Sequence, residues 1–248
     1  MAFSGGKDSQ TIYHLAKEAG VKFDAYYNLT TVDPPELVRF IKTDYPDAAW
    51  NRPNETMWSL IERKGLPPTR RQRYCCEILK EGGGEGRFVV TGVRWAESVR
   101  RKNNRAVLEI GTSKIKDKLM SNDNDESRKM LESCPKKGKR TLNPIIDWTQ
   151  EDVWNYINSR RLKYCSLYDE GFKRLGCIGC PLSSNMKMEF VRWPKYYQAY
   201  LRAFDRMLRE RERRDRPTKW KNAQEVMDWW IYKTKYDPDQ LDLFEDEI

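Results

Sequence analysis

Residues 4–9 of this chain, Ser4-Gly5-Gly6-Lys7-Asp8-Ser9, decide its fold and lie between a short apolar segment and a helical pattern. Two adjacent glycines allow a tight turn and a close approach of the backbone to a ligand. A strand-to-helix turn also presents backbone N–H groups at the positive end of the helix dipole, where phosphate binds. Lys7 adds a positive charge, and Ser4 and Ser9 add hydroxyl groups. The segment therefore predicts a phosphate-binding loop.

The spacing within this loop differs from the two common phosphate-binding motifs. It matches neither the Walker A spacing nor the three spaced glycines of the dinucleotide-binding fingerprint. The alternative interpretation is an ordinary strand-to-helix turn with a serine cap. His14 is the only histidine, so neither a histidine-dependent catalytic triad nor a histidine metal triad is available.

Strand patterns alternate with helical patterns, which indicates an α/β domain with a parallel sheet and flanking helices. The strand patterns cover residues 23–29 and 88–93, the latter a β-branched run typical of a buried parallel strand. The helical patterns cover residues 9–19, 36–44, 57–64 and 147–157. In the last of these, Thr149 is the expected N-cap and Asp152 the third helical residue.

The chain is expected to contain one domain over residues 1–182 and a helical basic extension over 183–248. The glycine-rich residues 81–87 predict a flexible loop, and the polar residues 113–141 a long surface excursion. Only about three residues precede the phosphate-binding loop, whereas a buried strand needs about five or six. We therefore expect either a longer natural N-terminus or another segment that completes this position in the sheet.

Composition limits the class of protein. The 248 residues carry a formal net charge of +9, with 39% hydrophobic and 12% aromatic residues. This apolar content excludes wholesale disorder, and no apolar run reaches the roughly 18 residues of a membrane span. No secretory signal is recognised, and six cysteines without one are typical of reduced thiols or metal ligands. We expect a soluble cytoplasmic protein without a membrane partner.

Four segments beyond the loop also carry recognisable motifs. They are Arg73-Tyr74-Cys75-Cys76-Glu77-Ile78-Leu79-Lys80, Thr91-Gly92-Val93-Arg94 with Glu97-Ser98, Asn143-Pro144-Ile145-Ile146-Asp147-Trp148 with Glu151-Asp152-Val153-Trp154, and Gly176-Cys177-Ile178-Gly179-Cys180-Pro181. The loop resembles the pyrophosphate-binding loop (PP-loop) of ATP pyrophosphatases, which cleave ATP between the α- and β-phosphates. With the four segments in order, residues 1–182 resemble the phosphoadenosine phosphosulfate (PAPS) reductase family of that superfamily.

The resemblance implies a fold like that of the adenine nucleotide alpha hydrolases, with ATP bound at residues 4–9. It also implies that Lys80 and Arg94 lie near the phosphates. Thr91 and Gly92 are expected at the end of a strand, which is where open α/β sheets bind ligands. Mg²⁺ normally bridges phosphates in such cleavage, and Asp8 is a candidate to support it. Asp33 is a candidate for the ribose or adenine, its alternative role being a turn aspartate before two prolines.

Five cysteines compete for one metal centre: Cys75, Cys76, Cys165, Cys177 and Cys180. Adjacent cysteines far from a Cys-x2-Cys resemble the iron–sulfur adenylyl-sulfate (APS) reductases, which bind a 4Fe–4S cluster through about four thiolates. The spacing from Cys165 to the Cys-x2-Cys resembles pyrophosphatases of DNA phosphorothioation. We favour Cys165, Cys177, Cys180 and one of the adjacent pair. Structural zinc and unligated core cysteines are the alternatives, and Cys134 is expected to be free.

The region after Cys180 contains no further thiol, whereas reductases of this family use a mobile cysteine near the chain end as nucleophile. The standard reductase mechanism is therefore in doubt, although another cysteine or a second chain would serve. This difference favours adenylation followed by sulfur transfer.

A basic surface is predicted over residues 192–221, which contain eleven Lys and Arg against four Asp and Glu. Its helical stripe of Tyr200, Leu201, Phe204, Met207 and Leu208 predicts core packing. The opposite face is then available for phosphates and carries Arg202, Arg206, Arg209, Arg213 and Arg216. Residues 98–118 add seven basic and two acidic residues. A simply solvated face and a protein-binding face are the alternatives, and an acidic tail at 237–247 could pair with this surface.

Three functions follow from these patterns. The first is a 4Fe–4S ATP pyrophosphatase that adenylates nucleic acid, most plausibly DNA, for phosphorothioate formation, with a cysteine desulfurase or another sulfur-transfer protein as partner. The second is an APS or PAPS reductase that produces sulfite. The third is a non-catalytic nucleotide- or DNA-binding subunit.

Overall fold

The computed structural model describes residues 1–81, 87–111, 116–119 and 139–232. The predicted glycine-rich loop, most of the polar excursion with Cys134, and the acidic tail lie outside the described residues.

The helices are α1 (Lys7–Glu18), α2 (Pro35–Asp44), α3 (Met57–Lys64), α4 (Tyr74–Cys76, continued by a π-helical turn at Glu77–Glu81), α5 (Val99–Asn104), α6 (Gln150–Ser159), α7 (Met186–Arg192), α8 (Pro194–Arg213) and α9 (Ala223–Tyr232). Short 3-10 turns cover Trp95–Glu97 and Ser166–Tyr168. The strands are β1 (Tyr26–Asn28), β2 (Ala49–Asn51), β3 (Phe88–Val90), β4 (Leu108–Gly111), β5 (Lys116–Leu119) and β6 (Lys139–Leu142).

Two compact units share these elements. Unit 1 comprises Met1–Leu29, Pro34–Arg52 and Gly82–Gly176, and unit 2 comprises Thr30–Asp33, Pro53–Glu81 and Cys177–Ile248. The units do not follow the predicted boundary between 182 and 183, because α8 packs on α3 through the Trp58 and Tyr200 rings, whose centroids are 4.9 Å apart. The C-terminal helices therefore share a core with residues 53–81.

The sheet of unit 1 confirms the α/β class. β1 pairs in parallel with β2, β3 pairs in parallel with β6, and β4 and β5 extend the sheet in antiparallel fashion. Residues 1–3 join the two halves, since Ala2 donates its N–H to the Val90 carbonyl and Phe3 donates to Tyr26, both at 2.9 Å. The three residues before the loop thus occupy the middle of the sheet.

The chain runs from residues 1–3 to β1 and β2 on one side, and then to β3 and β6 on the other. The strand order reverses between residues 1–3 and β3, and such a reversal leaves a crevice at the carboxyl ends of the strands where α/β proteins bind ligands. Residues 4–9 and 91–94 follow the two segments that flank this reversal.

The observed elements are shorter than their predicted ranges. The strands within 23–29 and 88–93 contain three residues each, and Phe88 is 49% exposed, so β3 is not the fully buried strand that its composition predicted. The guanidinium of Arg140 lies 5.9 Å from the centroid of the Phe88 ring. α6 begins at Gln150, and the predicted cap is confirmed: Thr149 and Asp152 form a capping box.

The core of unit 1 joins α1 and α6, because Ile12, Ile145, Val153 and Ile157 are all buried in one cluster. Unit 2 is built on aromatic packing. Tyr200, Phe204 and Met207 of α8 are buried as predicted, and the Trp230 ring of α9 lies 4.8 Å from Tyr200 and 5.4 Å from Phe204.

We predict that Gly5→Ala destabilises the protein more than Gly20→Ala. Both glycines have positive φ, 69° and 65°, which costs an alanine about 1–2 kcal/mol. A Cβ at Gly5 would also lie 2.7 Å from the Ile41 side chain, whereas a Cβ at Gly20 meets nothing within 4 Å. Overpacking adds about 1–3 kcal/mol to the Gly5 variant. Urea denaturation of both variants measures the difference, and equal losses would contradict the predicted contact between the loop and α2.

Candidate functional site

The loop at residues 4–9 is held by its own serines. Ser9 Oγ donates to the Gly6 carbonyl at 2.8 Å and accepts the Ser4 N–H at 3.2 Å. Gly6 is the extended N-cap of α1, and the first intrahelical bond is donated by Gln10 to Gly6. The preceding N–H groups of Asp8 and Ser9 therefore have no partner within the helix. Such groups bind anions at a helix N-terminus.

Three charged side chains meet at the start of α1. Asp8 accepts from Lys7 Nζ at 3.1 Å on one carboxylate oxygen and from Arg94 Nε at 2.7 Å on the other. Lys7 and Arg94 are almost fully buried, with 3% and 2% of their surface exposed, and Asp8 is half-buried. Burial lowers the pKa of Lys7, and Asp8 opposes that shift. Two buried cations share one carboxylate, so the site retains an excess positive charge.

Residues 91–94, which follow β3, approach the loop closely. This agrees with the expectation that Thr91 and Gly92 end a strand. A Cβ on Gly92 would lie 2.9 Å from the Asp8 carbonyl oxygen, so glycine permits this contact. Thr91 donates its hydroxyl to the Asn143 side chain and its N–H to the Leu142 carbonyl, which fixes the start of the segment. Arg94 also donates to the Trp148 carbonyl at 3.3 Å. These bonds orient the Arg94 guanidinium towards Asp8.

Two further arginines, Arg101 and Arg174, lie near the loop and were not expected from the sequence. Burial, together with the charges of Arg174 and Arg105, lowers the pKa of Arg101 to about 10. The Arg174 charge also lowers the pKa of Lys7. Arg101 forms an ion pair with Glu97 one helical turn away. An i, i+4 acid–base spacing was visible in the sequence, whereas the approach of Arg174 depends on tertiary structure.

Tyr168 is the third group that the sequence did not reveal. Its hydroxyl accepts the backbone N–H of Lys7 at 2.8 Å, across 161 residues of chain. Its ring packs edge-on against Trp154 with centroids 5.0 Å apart.

Four cysteines lie in one pocket of unit 2. The pocket is lined by Cys75, Cys76, Cys177 and Cys180, together with Lys80, Thr30 and Tyr200. Both members of the adjacent pair are present, and Cys165 is not among the lining residues. The predicted ligand set, which contained Cys165 and one member of the pair, is therefore not the set that this pocket assembles.

Cys165 belongs to unit 1 and is 1% exposed. Burial raises the pKa of its thiol, and the nearby carboxylate of Glu36 raises it further. The thiol is thus held neutral in a core position next to the Ser166–Tyr168 turn. The sequence spacing between Cys165 and the Cys-x2-Cys does not show that Cys165 belongs to unit 1 whereas Cys177 and Cys180 belong to unit 2.

The pocket shifts the pKa values of its thiols in different directions, and burial raises the pKa of Cys180. A hydrogen bond from Cys75 lowers the pKa of Cys76 to about 5, with help from Arg73, and the pKa of Cys75 rises correspondingly. The charge of Cys177 raises the pKa of Lys80, which hydrogen-bonds to that cysteine. Lys80 therefore lies beside the thiols of unit 2.

Four cysteine thiols in one pocket are the type of donor set that a 4Fe–4S cluster uses. Within the described residues, no three His, Cys, Asp or Glu side chains are arranged to hold a single metal ion. In a 4Fe–4S cluster each thiolate binds a different iron, so the four sulfurs surround a group rather than a point. Four thiols with a neighbouring ammonium supply the ligands and the charge compensation that such a cluster needs.

Glu189 supports the loop that carries Cys177 and Cys180. It is buried and accepts from the Gly179 N–H at 2.8 Å and from the Ser183 hydroxyl at 2.6 Å. No sequence pattern around Glu189 predicted that it would hold the loop of Cys177 and Cys180.

Asp33 acts as a turn aspartate, which was the alternative role expected from the sequence. Its carboxylate accepts the Thr30 N–H at 2.6 Å, and its carbonyl accepts from Tyr196 at 3.0 Å. It is 6% exposed and lies in unit 2, where its charge acts on Lys80. Contact with a ribose or an adenine stays a prediction.

The predicted basic face of α8 is partly neutralised. Arg206 pairs with Glu62, Arg209 with Asp205, and Arg213 with Glu210. Arg202 is exposed on the same helix.

Comparison with known proteins gives the family. A family model described as the phosphoadenosine phosphosulfate reductase domain matches residues 1–183, about three quarters of the chain. The chain belongs to this family. The match includes the loop, the Arg94 segment and all four cysteines of the pocket.

Relatives of this PAPS reductase-family chain include an uncharacterised protein of Methanocaldococcus jannaschii, 28% identical over 79% of this chain and 44% of that protein. An adenosine 5'-phosphosulfate reductase of Oceanobacillus iheyensis is 29% identical over 64% of this chain and 60% of that protein. A solved PAPS reductase from Candida auris, in a phosphate complex, is 18% identical over 71% of this chain and 80% of that chain, with a TM-score of 0.46. The chain spans less than half the length of the first two curated relatives that it matches.

Among the helices of the described residues, none combines the length and the apolar character needed to cross a bilayer.

We predict that Cys177→Ser and Cys76→Ser abolish binding of iron and sulfide, whereas Cys165→Ser retains it. The first two remove pocket thiols, and Cys165 lies in unit 1. Iron and acid-labile sulfide content after anaerobic purification, with an absorption spectrum, measures the result. Loss of iron in Cys165→Ser, or its retention in Cys177→Ser, would contradict the assignment. Zinc that disappears in the same two variants would show the right ligands with a different metal.

Proposed function

We propose that this chain is an ATP pyrophosphatase with a 4Fe–4S cluster that activates an oxygen atom for sulfur transfer. The observation that carries the proposal is the group of Lys7, Asp8 and Arg94 at the first turn of α1. The ammonium of Lys7 and the guanidinium of Arg94, both buried, pair with the partly buried carboxylate of Asp8 at this helix N-terminus. This arrangement suits a highly charged polyphosphate, and Asp8 suits a magnesium ion that bridges its oxygens.

The first chemical step would be attack by an acceptor oxygen on the α-phosphorus of ATP. The bond between the α-phosphorus and the bridging oxygen breaks, and pyrophosphate leaves. Lys7, Arg94 and the N–H groups of Asp8 and Ser9 would stabilise the charge that develops on the departing pyrophosphate. The acceptor oxygen is then bonded to AMP. A sulfur nucleophile displaces AMP, which leaves with that oxygen, and sulfur takes its place on the acceptor.

The four pocket thiols, Cys75, Cys76, Cys177 and Cys180, would hold the cluster. When bound, the cluster would supply redox-active iron with sulfide ligands. Lys80 would compensate its negative charge, as the coupling of Lys80 to Cys177 indicates.

DNA is the acceptor that we propose. The support is the net charge of +9 and the exposed basic residues Arg100, Lys102 and Arg202. A cysteine desulfurase or another sulfur-transfer protein would supply the sulfur, and a cytoplasmic location accompanies this proposal. The pairing of several α8 arginines with carboxylates reduces the positive charge available on that helix.

Reduction of a sulfonucleotide is the second candidate. It is favoured by relatives named adenosine 5'-phosphosulfate reductase. That reaction needs a nucleophilic thiol outside the cluster ligands. Among the described residues the fifth cysteine is Cys165, which is buried with a raised pKa and is a poor nucleophile. This observation favours the pyrophosphatase, although Cys134 lies outside the described residues.

We predict that the anaerobically purified protein releases pyrophosphate from ATP, and that DNA with a sulfur source stimulates the release. Lys7→Met should lower the rate by about 100-fold, because the variant loses a buried cation aimed at the leaving group. Lys17→Met on the same helix is the matched control, since Lys17 is exposed and pairs with Asp47. Its rate should equal that of the wild type.

The same protein is assayed with APS and PAPS. Sulfite formation without pyrophosphate release would replace the first candidate with the second. Tight ATP binding without turnover under every combination of substrates would indicate a non-catalytic nucleotide-binding subunit.

A further inference from the structure

Tyr168 meets the loop at the place where a phosphate would bind. The N–H of Lys7 belongs to the first turn of α1, and it is the Tyr168 hydroxyl oxygen that accepts it, at 2.8 Å. The same hydroxyl lies close over Gly6, where an added Cβ would be 3.4 Å from it. The hydroxyl oxygen therefore lies at the first turn of α1, the turn that also contains the N–H groups of Asp8 and Ser9.

The protein fixes this hydroxyl firmly. The Tyr168 ring packs edge-on against Trp154 of α6, at 5.0 Å, and against Tyr164 at 6.2 Å. Trp154 follows the Thr149–Asp152 capping box, so α6 holds the tyrosine over the loop. The segment 143–154 therefore positions two side chains. The Trp148 carbonyl accepts a hydrogen bond from Arg94, and the Trp154 ring packs against Tyr168.

A tyrosine hydroxyl that accepts one hydrogen bond still has its own proton to donate. Burial raises the pKa of Tyr168, so the hydroxyl keeps that proton at neutral pH. The Lys7 N–H polarises the hydroxyl and makes it a better donor. A phosphate oxygen at the loop is an acceptor that this geometry suits.

We propose that Tyr168 is a phosphate-binding residue of the nucleotide site, in which its hydroxyl relays the Lys7 N–H and donates a hydrogen bond to a phosphate oxygen. This inference rests on the proposed nucleotide-binding function. It adds to the loop a donor from a turn 161 residues away, so the loop is complete only when the Ser166–Tyr168 turn is folded.

Tyr168→Phe tests the role because it removes the hydroxyl and keeps the ring on Trp154. Tyr164→Phe is the matched control, since Tyr164 belongs to the same aromatic cluster but donates its hydroxyl to Asp169 at 3.0 Å. Calorimetry gives the Kd of each protein for ATP, for inorganic pyrophosphate and for adenosine. We expect Tyr168→Phe to bind ATP and pyrophosphate about tenfold more weakly, in keeping with a lost hydrogen bond to a charged group, and to bind adenosine unchanged. Tyr164→Phe should match the wild type for all three.

Three results would overturn the inference. Unchanged or tighter ATP binding by Tyr168→Phe would show that the hydroxyl only occupies an N–H that phosphate would otherwise use. Equal weakening for ATP and adenosine, with a lowered Tm, would show a structural role. If the wild type binds neither ATP nor pyrophosphate, both the proposed function and this inference are wrong. If the wild type binds them and Tyr168→Phe has no effect, only this inference is wrong.

Discussion

The carboxylate of Asp8 lies between the ammonium of Lys7 and the guanidinium of Arg94, and both cations are almost fully buried. Burying two positive charges is unfavourable unless an opposite charge and hydrogen bonds compensate them. Asp8 supplies one negative charge for two cations, which leaves a site with a strong demand for an anion. The nearness of Gly92 to the Asp8 backbone, and the bond from Arg94 to Trp148, both serve this arrangement.

The location of the site follows from the strand order of unit 1. Residues 1–3 form the centre of the sheet, and the chain leaves them in one direction through α1 and returns on the other side at β3. The loop and the Arg94 segment are brought together because they follow the two neighbouring segments at that reversal. The loop and the Arg94 segment, which are far apart in sequence, therefore lie at one edge of the sheet of unit 1. Unit 2 gathers four thiols around a pocket of its own.

The sequence predicted features that are encoded locally. The glycine turn before α1, the Thr149–Asp152 capping box and the buried stripe of α8 are each determined by residues within a few positions of one another. Features that depend on distant contacts were not predictable: the Lys7–Tyr168 bond, the approach of Arg174 to the loop, and the union of residues 53–81 with the C-terminal helices. The ligand set stays a prediction: Cys165 has suitable spacing but belongs to unit 1, whereas the pocket of unit 2 is lined by the adjacent pair and the Cys-x2-Cys.

The proposed function depends most on the affinity of the Lys7, Asp8 and Arg94 group for polyphosphate. Titration of inorganic pyrophosphate into the full chain, for the wild type and for Arg94→Gln at two salt concentrations, measures that affinity directly. The account predicts saturable binding at one site, weaker at higher salt, and about tenfold or more weaker in the variant, which loses a charge-assisted contact. Absence of saturable binding to the wild type, or equal affinity in the variant, would contradict it.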